Sequence, residues 1–287
     1  MNLEKLKAIA ETLPEQYKTN ALSLIERMEE VVEGIGDEPV RWKPSMLKLV
    51  QGTTDRSSIP KGTAIGDFVL GEVKVEQPLP FIPMRIWEGR QYWSPDQNEN
   101  KLLCSSPDGK LGYIGSYCNQ CPHSKFDEEA RKSDCGKTQN VIAILPDLSD
   151  IFIVGFAKTN YKVGLDLKNA ATKAKVALYR RVYALTSETN KQYKNVENYA
   201  LETLDDSKKV TPEPILEFLK ELFEIITADR KENIDKFHEV VLARKAEAPA
   251  LEAPAGDQNT VLLTDESSEG GASGESTVSD LAKNYQV

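Results

Sequence analysis

The four cysteines constrain the fold of this chain most, because all of them fall in one short, turn-rich window. They are Cys104, Cys118, Cys121 and Cys135, and only two residues separate the middle pair. Two thiolates at that spacing bind one zinc ion through a tight turn, and two more from flanking segments complete a tetrahedron. The intervening sequence is rich in turn residues and has no apolar core, so metal binding would supply the folding energy. The window predicts a zinc-binding loop subdomain over residues 104–135.

Other interpretations of the cysteines stay open at this point. The thiols are alternatively buried apolar side chains, disulfides, or a redox pair at Cys118 and Cys121, although the βαβ setting of a thioredoxin is missing. His123 follows closely and is an alternative ligand to one cysteine. Four protein ligands leave no coordination position for water or substrate, which indicates a structural zinc ion, Zn(2+), and not a catalytic one.

The charge of the chain is unevenly distributed. The formal net charge is −9, yet residues 41–203 carry more Lys and Arg than Asp and Glu, whereas both ends are acidic. In residues 247–287, Lys283 is the one base among many acids. A basic middle with acidic ends is typical of a nucleic-acid surface combined with an acidic tail. An ordinary solvated surface is the competing interpretation.

Hydrophobic periodicity divides the chain into regions. Residues 1–40 place apolar side chains at helical spacing, and Pro14 predicts a break between two helices. Residues 41–205 read as the nucleic-acid-binding core, with short β-rich runs and one helix at 165–178 before the last two strands. Residues 206–246 predict a long C-terminal helix that begins after prolines typical of a first turn.

The middle region predicts an α+β fold built on a small, partly closed antiparallel barrel with flanking helices. Residues 247–287 are dominated by Ala, Pro, Gly, Ser and Glu. Such a composition cannot bury enough apolar area to offset the entropy of ordering, so this segment is predicted to be a disordered acidic tail. The predicted strands are 68–70, 73–75, 81–93, 141–145, 151–154, 182–187 and 199–204.

Compact catalytic motifs are missing from the sequence. It has no phosphate-binding loop, no nucleophile elbow and no HExxH zinc motif, so we expect no enzymatic activity. A replication-associated nuclease built from scattered carboxylates is a third, weaker interpretation. No run approaches the roughly 18 apolar residues that cross a bilayer, and the N-terminus does not read as an export signal. We therefore expect a cytoplasmic protein without a membrane partner.

Basic and aromatic residues are interleaved in the middle region, as in single-stranded nucleic-acid binding, where cations follow phosphates and rings stack on bases. On a pleated strand, Arg85 and Trp87 share one face, and Arg90 and Tyr92 share another. The competing interpretation is an aromatic core with a solvated rim of charges. The predicted nucleic-acid-binding residues are Arg85, Trp87, Arg90, Tyr92, Trp93, Lys158, Tyr161, Lys162, Lys173, Lys175, Tyr179, Arg180 and Arg181.

With these features the chain resembles the phage-type single-stranded DNA-binding proteins, including the T-even type. The likeness covers about residues 60–287, is architectural, and implies an OB-fold barrel that carries the zinc subdomain. It further implies sequence-nonspecific binding of single-stranded DNA in viral DNA replication or recombination, in the cytoplasm of a host cell. The residues that carry it are the cysteine window 104–135, VIAILPDLSDIFIVGFAKT at 141–159, the basic helix, LYRRVYALTSE at 178–188 and the segment after 246.

The resemblance also implies partners. The acidic tail would recruit replication or recombination proteins, and self-association into a homo-oligomer is compatible with the pattern. The sequence departs from the T-even type in having four cysteines where that type uses a histidine and three cysteines. Its N-terminus is acidic and helical where that type has a basic arm. A zinc-stabilised protein-interaction or virion-assembly factor without DNA binding is the alternative function.

Overall fold

A strongly curled half-barrel sheet and four α-helices make up the described part of this mixed α+β protein. The predicted acidic tail lies outside the described residues, except for Glu247. The computed structural model describes residues 3–32, 40–41, 43–95, 101–128, 133–193, 196–202, 204–205 and 209–247.

The helices confirm the predicted periodicity, except that Val31 and Val32, in the predicted N-terminal helical region, form a short strand beyond the end of the second helix. Pro14 stands between the first two helices at φ −53°, a value that suits the start of a helix. The third helix begins and ends about four residues before its predicted bounds, and a 3-10 turn at Glu213–Ile215 precedes the fourth. The helices are α1 (Leu3–Glu11), α2 (Glu15–Glu29), α3 (Tyr161–Ala174) and α4 (Leu216–Glu247).

All seven predicted strands are present. Two strands of the curled sheet, Ser45–Leu49 and Leu102–Ser106, were not predicted, because each is short and lies beside turn-rich sequence. The strands are β1 (Val31–Val32), β2 (Val40–Arg41), β3 (Ser45–Leu49), β4 (Phe68–Leu70), β5 (Val73–Val75), β6 (Leu79–Trp93), β7 (Leu102–Ser106), β8 (Cys135–Ile144), β9 (Ile151–Ala157), β10 (Tyr183–Thr189) and β11 (Glu197–Glu202).

The sheet is built around the antiparallel meander β6-β8-β9. Its strand order is β11-β10-β6-β8-β9-β3-β4-β5, and β7 pairs with the second half of β6. The chain leaves β9 through α3 and returns as the hairpin β10–β11, in which β10 pairs antiparallel with β6. β3 pairs parallel with β9, and β1 with β2 forms a separate two-stranded ribbon.

One face of the sheet encloses the barrel core. Apolar side chains from seven strands, such as Phe81, Phe152 and Leu185, meet Leu167 of α3 inside the curl. The side-chain amide of Gln51, which follows β3, hydrogen-bonds to the backbone of β11 and so connects these two strands of the curled sheet. Its Nε2 donates to the Glu197 carbonyl at 2.9 Å and its Oε1 accepts from the Glu197 N–H at 2.9 Å. The amide therefore takes the place of one step of backbone pairing.

The opposite face of the sheet carries the helical core. Here Ile82, Ile142 and Ile153 from the meander pack against apolar side chains of α1, α2 and α4, including Leu24 and Phe218. The two terminal helical regions thus share one core with the sheet. Within the described part of the chain, no helix is long and apolar enough to span a membrane.

Candidate functional site

The second half of β6 brings the two outer cysteines of the window together. Tyr92 is the register partner of Cys135 in β8 and of Cys104 in β7. Residues directly opposite on neighbouring strands point to the same face of a sheet. Strand pairing therefore places the two outer cysteines on either side of the Tyr92 ring.

All four cysteines line one pocket. Its wall also contains Tyr92, Gly112 and His123, and the four thiols are free. The disulfide interpretation is therefore not supported by this structure. Within the described ranges, no three Cys, His, Asp or Glu side chains form a group that could hold a metal ion as they stand. The four thiols thus line one pocket, but in this structure they are not arranged as a complete set of metal ligands.

The middle pair of cysteines sits on a tight turn. The N–H groups of Gln120 and Cys121 both donate to the Tyr117 carbonyl, at 2.9 and 3.0 Å. Ser124 Oγ closes the turn by donating to the carbonyl oxygens of Cys118 and Cys121. This hydrogen-bonded knuckle fixes the backbone between two thiols whose spacing suits a single metal ion.

Burial disfavours the thiolate form of three of the four cysteines. It raises the pKa of Cys104 and Cys118, and it raises the pKa of Cys135 to about 11. Arg90 opposes this rise in pKa at Cys118 and Cys135, because its positive charge lies close to both sulfurs. Buried thiols that would have to ionise need a positive charge nearby, and a bound divalent cation supplies one.

His123 lies at the wall of the same pocket. Its ring stacks on Tyr92 with centroids 4.3 Å apart and an angle of 19° between the planes. Its Nδ1 is 3.4 Å from Asp134 Oδ2. A carboxylate on one ring nitrogen is a common orienting partner for a histidine that binds metal through the other nitrogen. His123 therefore stays an alternative to one of the cysteines.

The predicted nucleic-acid-binding residues of β6 divide between two faces. Arg85 pairs with Ile142 and Trp87 with Asn140, on the face that carries the helical core. Trp87 packs against that core, and the Arg230 guanidinium of α4 lies 3.8 Å from its ring centroid. One face of the Trp87 ring is thus covered by the protein itself. Gln91 shares this face of the sheet by strand alternation, and Trp93 Nε1 donates to Gln91 Oε1 at 3.4 Å.

Arg90 and Tyr92 lie on the other face, which continues the barrel interior towards the cysteine pocket. Arg90 is the register partner of Lys137. Beside them, Glu88 accepts a hydrogen bond from the Tyr161 hydroxyl at 3.0 Å and lies 3.2 Å from Lys137 Nζ. Exposed Lys158 and Lys162 flank Tyr161 where α3 begins. We call this set the cysteine-side face: Glu88, Arg90, Tyr92, Lys137, Lys158, Tyr161 and Lys162.

The remaining predicted residues lie at the other end of α3. Lys173 and Lys175 are exposed where the helix ends. Tyr179 packs against Phe223 of α4, with ring centroids 5.6 Å apart, and belongs to the periphery of the helical core. Arg180 and Arg181 follow it, the first exposed and the second half-buried. These residues are separated from the cysteine-side face by the length of α3.

Several exposed residues that suit nucleic-acid binding were not predicted. Lys137 stands opposite Arg90. Phe126, Tyr193 and Tyr117 are 67%, 55% and 49% exposed. The available signal was their position in polar, turn-rich segments, where a large ring has few neighbours to pack against.

Comparison with known proteins returned no match: no family model, curated protein or solved structure is similar to this chain.

Proposed function

We propose that this protein binds single-stranded DNA without sequence preference and does so through the cysteine-side face. The observation that supports this most is the convergence of basic and aromatic side chains there. Strand register and the start of α3 bring four cations, at Arg90, Lys137, Lys158 and Lys162, to the same region as the Tyr92 and Tyr161 rings. Cations that follow phosphates and rings that stack on bases are the two requirements of such binding.

An OB-like barrel is the proposed architecture behind this surface. A three-stranded meander, then a helix, then a hairpin whose first strand returns to the first strand of the meander is the connectivity expected of such a barrel. The sequence β6-β8-β9-α3-β10-β11 has that order. The cysteine window then occupies the loop between the first two barrel strands, a loop that binds oligonucleotides in OB-folds. The parallel strand β3 beside β9 is an addition to that plan.

Zinc is the proposed occupant of the cysteine pocket. Cys104, Cys118, Cys121 and Cys135 would hold it, with His123 as the alternative to one of them. The fit is supported by the knuckle at the middle pair, in which the N–H groups of Gln120 and Cys121 both donate to the Tyr117 carbonyl. When bound, the ion would supply folding energy to the window and no chemistry.

The acidic segment 247–287 is proposed to recruit replication or recombination proteins and to compete with DNA for the cationic surface. We assign the protein to DNA replication or recombination of a phage, in the cytoplasm of its host, without enzymatic activity. Trp87 and Tyr179 are left out of the proposed surface, because their rings pack against α4.

A fluorescent oligo-dT titration at several salt concentrations tests the proposal. For single strands, log K falls with log salt by roughly 0.7 for each phosphate neutralised. The double variant Lys158→Gln with Lys162→Gln should therefore bind more weakly at low salt and show a slope smaller by about 1.4. The matched control changes Lys7 and Lys18 of the terminal helices to Gln and should leave the slope unchanged.

Absence of salt-dependent binding by the wild-type protein would contradict the function and favour the protein-interaction alternative. Equal losses in the test and control variants would keep DNA binding but contradict its location on the cysteine-side face.

A further inference from the structure

The two halves of helix α4 pack against different parts of the protein. Its first part buries Phe218, Leu222 and Ile225 in the helical core. Beyond Arg230 the buried side chains of the helix, within the part described, are Phe237 and Val241. Their apolar cluster contains Leu111, with Tyr113 packed beside it, both from the cysteine window. We call residues 231–247 the distal half of α4.

Polar contacts join the same two elements. Arg230 Nη2 donates to the Pro107 carbonyl at 2.7 Å, and His238 Nε2 lies 3.2 Å from Asp108 Oδ2. Arg244 donates to the Tyr113 hydroxyl, and its guanidinium carbon lies 5.2 Å from the Tyr113 ring centroid. The aliphatic part of Lys245 lies over Gly115, since a Cβ added there would be 3.6 Å from Lys245 Cδ. These contacts extend over four turns of the helix.

Residues 110–118 of the cysteine window contact α4 and also help to position Cys104 and Cys118. The Cys118 N–H donates to the Lys110 carbonyl at 2.7 Å, and the Tyr113 N–H donates to the Ser105 carbonyl at 2.9 Å. Gly112 passes so close to Cys104 that an added Cβ would be 2.9 Å from the sulfur. Residues 110–118 therefore cannot hold α4 in place while the cysteine pocket is disordered.

The window has little apolar burial of its own. Among its described residues, the buried apolar side chains are Pro107, Leu111 and the cysteines Cys118 and Cys135. The stability of a helix in a protein comes mostly from packing its apolar face, and among its described side chains the distal half of α4 buries only Phe237 and Val241. Each of the two elements thus lacks an independent source of stability.

We propose that metal binding in the cysteine pocket controls the docking of the distal half of α4, so that the pocket acts as a clamp on this helix. The inference rests on the proposed zinc site. Metal binding orders residues 104–135, the ordered strip 110–118 receives Phe237, Val241 and Arg244, and the helix becomes continuous to residue 247. Coupling between two events is reciprocal, so contacts made by the helix raise the affinity of the pocket for metal.

Hydrogen exchange on the full-length protein, loaded with zinc and then treated with EDTA, tests the forward direction. Chelation should raise exchange of the amides of residues 231–245 by about tenfold or more, together with those of the cysteine window. The amides of residues 218–227, which pack in the helical core, should be unchanged and serve as the internal control. If the window loses protection while residues 231–245 keep theirs, the coupling is wrong and the zinc site stands.

The reverse direction is tested by the zinc affinity of helix variants, measured by chelator competition. Phe237→Ala should weaken zinc binding about tenfold, a coupling within the usual range for linked sites. Val240→Ala, on a 36% exposed position of the same helix, should not weaken it. Tyr113→Phe keeps the ring, removes the hydroxyl that Arg244 uses, and should give a smaller loss even if Phe237→Ala impairs folding. Equal zinc affinities for all three variants would overturn the coupling, and no zinc binding by the wild type would overturn the zinc site as well.

Discussion

At the scale of single residues, Tyr199 shows how a polar group is accommodated inside the barrel core. Its ring is enclosed by Phe68 and Phe156, and its hydroxyl donates to the Leu47 carbonyl at 3.1 Å. Burial raises the pKa of this hydroxyl far above its usual value. It therefore stays neutral, and its hydrogen bond links β11 to β3 across the barrel core.

Tyr199→Phe should lower the free energy of unfolding by about 1–2 kcal/mol, because the Leu47 carbonyl loses its buried partner. Urea denaturation measures the change as a lower midpoint with an unchanged slope. Tyr193→Phe, at an exposed ring, is the matched control and should have little effect. A midpoint for Tyr199→Phe equal to that of the control would show that the hydrogen bond does not stabilise the fold.

Asp67 predicts a pH dependence of stability. A hydrogen bond from Lys74 Nζ, 2.7 Å away, and another from the Ala64 N–H hold the pKa of Asp67 below its usual range. A carboxyl with a lowered folded pKa stabilises the protein above its unfolded pKa of about 3.9. That stability is lost as the pH falls through the lower folded value.

Asp67→Asn should therefore be less stable than the wild type at pH 6, and the difference should shrink towards zero as the pH falls below about 3.9. Urea midpoints measured from pH 6 to pH 2 give this curve. Asp166→Asn, on an exposed position of α3, should follow the wild type at every pH. If the difference in urea midpoint between Asp67→Asn and the wild type did not change with pH, the titration of this carboxyl would not be the cause of the difference.

At the scale of elements, α3 docks on the sheet through Gly164. A Cβ added there would stand 2.5 Å from Gln139 Cβ and 2.9 Å from Phe156 Cδ2. Both neighbours belong to central strands, β8 and β9, which cannot move away without disturbing the barrel core. The glycine is required by this close approach of helix and sheet and not by its own backbone conformation.

Gly164→Ala should destabilise the protein by about 1–3 kcal/mol through overpacking, even though alanine favours a helix by about 1 kcal/mol over glycine. Because α3 begins with Tyr161 and Lys162 of the cysteine-side face, oligo-dT affinity should fall in parallel. Asn169→Ala, exposed on the same helix, should be neutral or stabilising. Stabilisation by Gly164→Ala would mean that helix and sheet are not in contact here.

The elements also show what the sequence could and could not predict. The hairpin of β8 and β9 was predicted because both strands are continuous apolar runs joined by a turn, and β8 is buried on both faces. β3 was missed because it is short and lies beside turn-rich sequence, and one of its two partners, β9, lies far along the chain and pairs parallel to it. Likewise, alternation predicted that Trp87 and Tyr92 face opposite ways, but only the position of α4 shows which ring is covered.

At the scale of the whole molecule, α3 is a basic helix, whereas the terminal helices α1, α2 and α4 together carry more acids than bases. The helical-core side carries exposed acids of the terminal helices, such as Glu11, Glu26 and Glu217. Exposed Lys162, Lys168 and Lys173 belong to α3 on the barrel side. Under the proposed function, a DNA strand would be attracted to the basic surface at α3, which the net charge of −9 does not reveal.

The acidic residues after α4 also contribute to the electrostatic potential of the molecule. The segment 248–287 is attached to the distal half of α4, whose last turns lie beside the cysteine window. Its charged residues are Glu252, Asp257, Asp265, Glu266, Glu269, Glu275 and Asp280, with Lys283 as the single base. Under the proposed function, such a tethered polyanion at a high effective concentration would compete with DNA phosphates for the same cations.

Replacing these seven acids by Asn or Gln in the full-length chain should therefore tighten oligo-dT binding at 50 mM salt by about tenfold. The difference in affinity from the wild type should decrease towards high salt, because salt shortens the Debye length. Keeping the length constant removes the effect of chain excluded volume. The control permutes the order of residues 248–287 with every charge retained and should bind like the wild type. Tighter binding by the permuted chain would assign the effect to a specific sequence in this segment, and unchanged affinity of the neutralised chain would show that it does not compete with DNA at all.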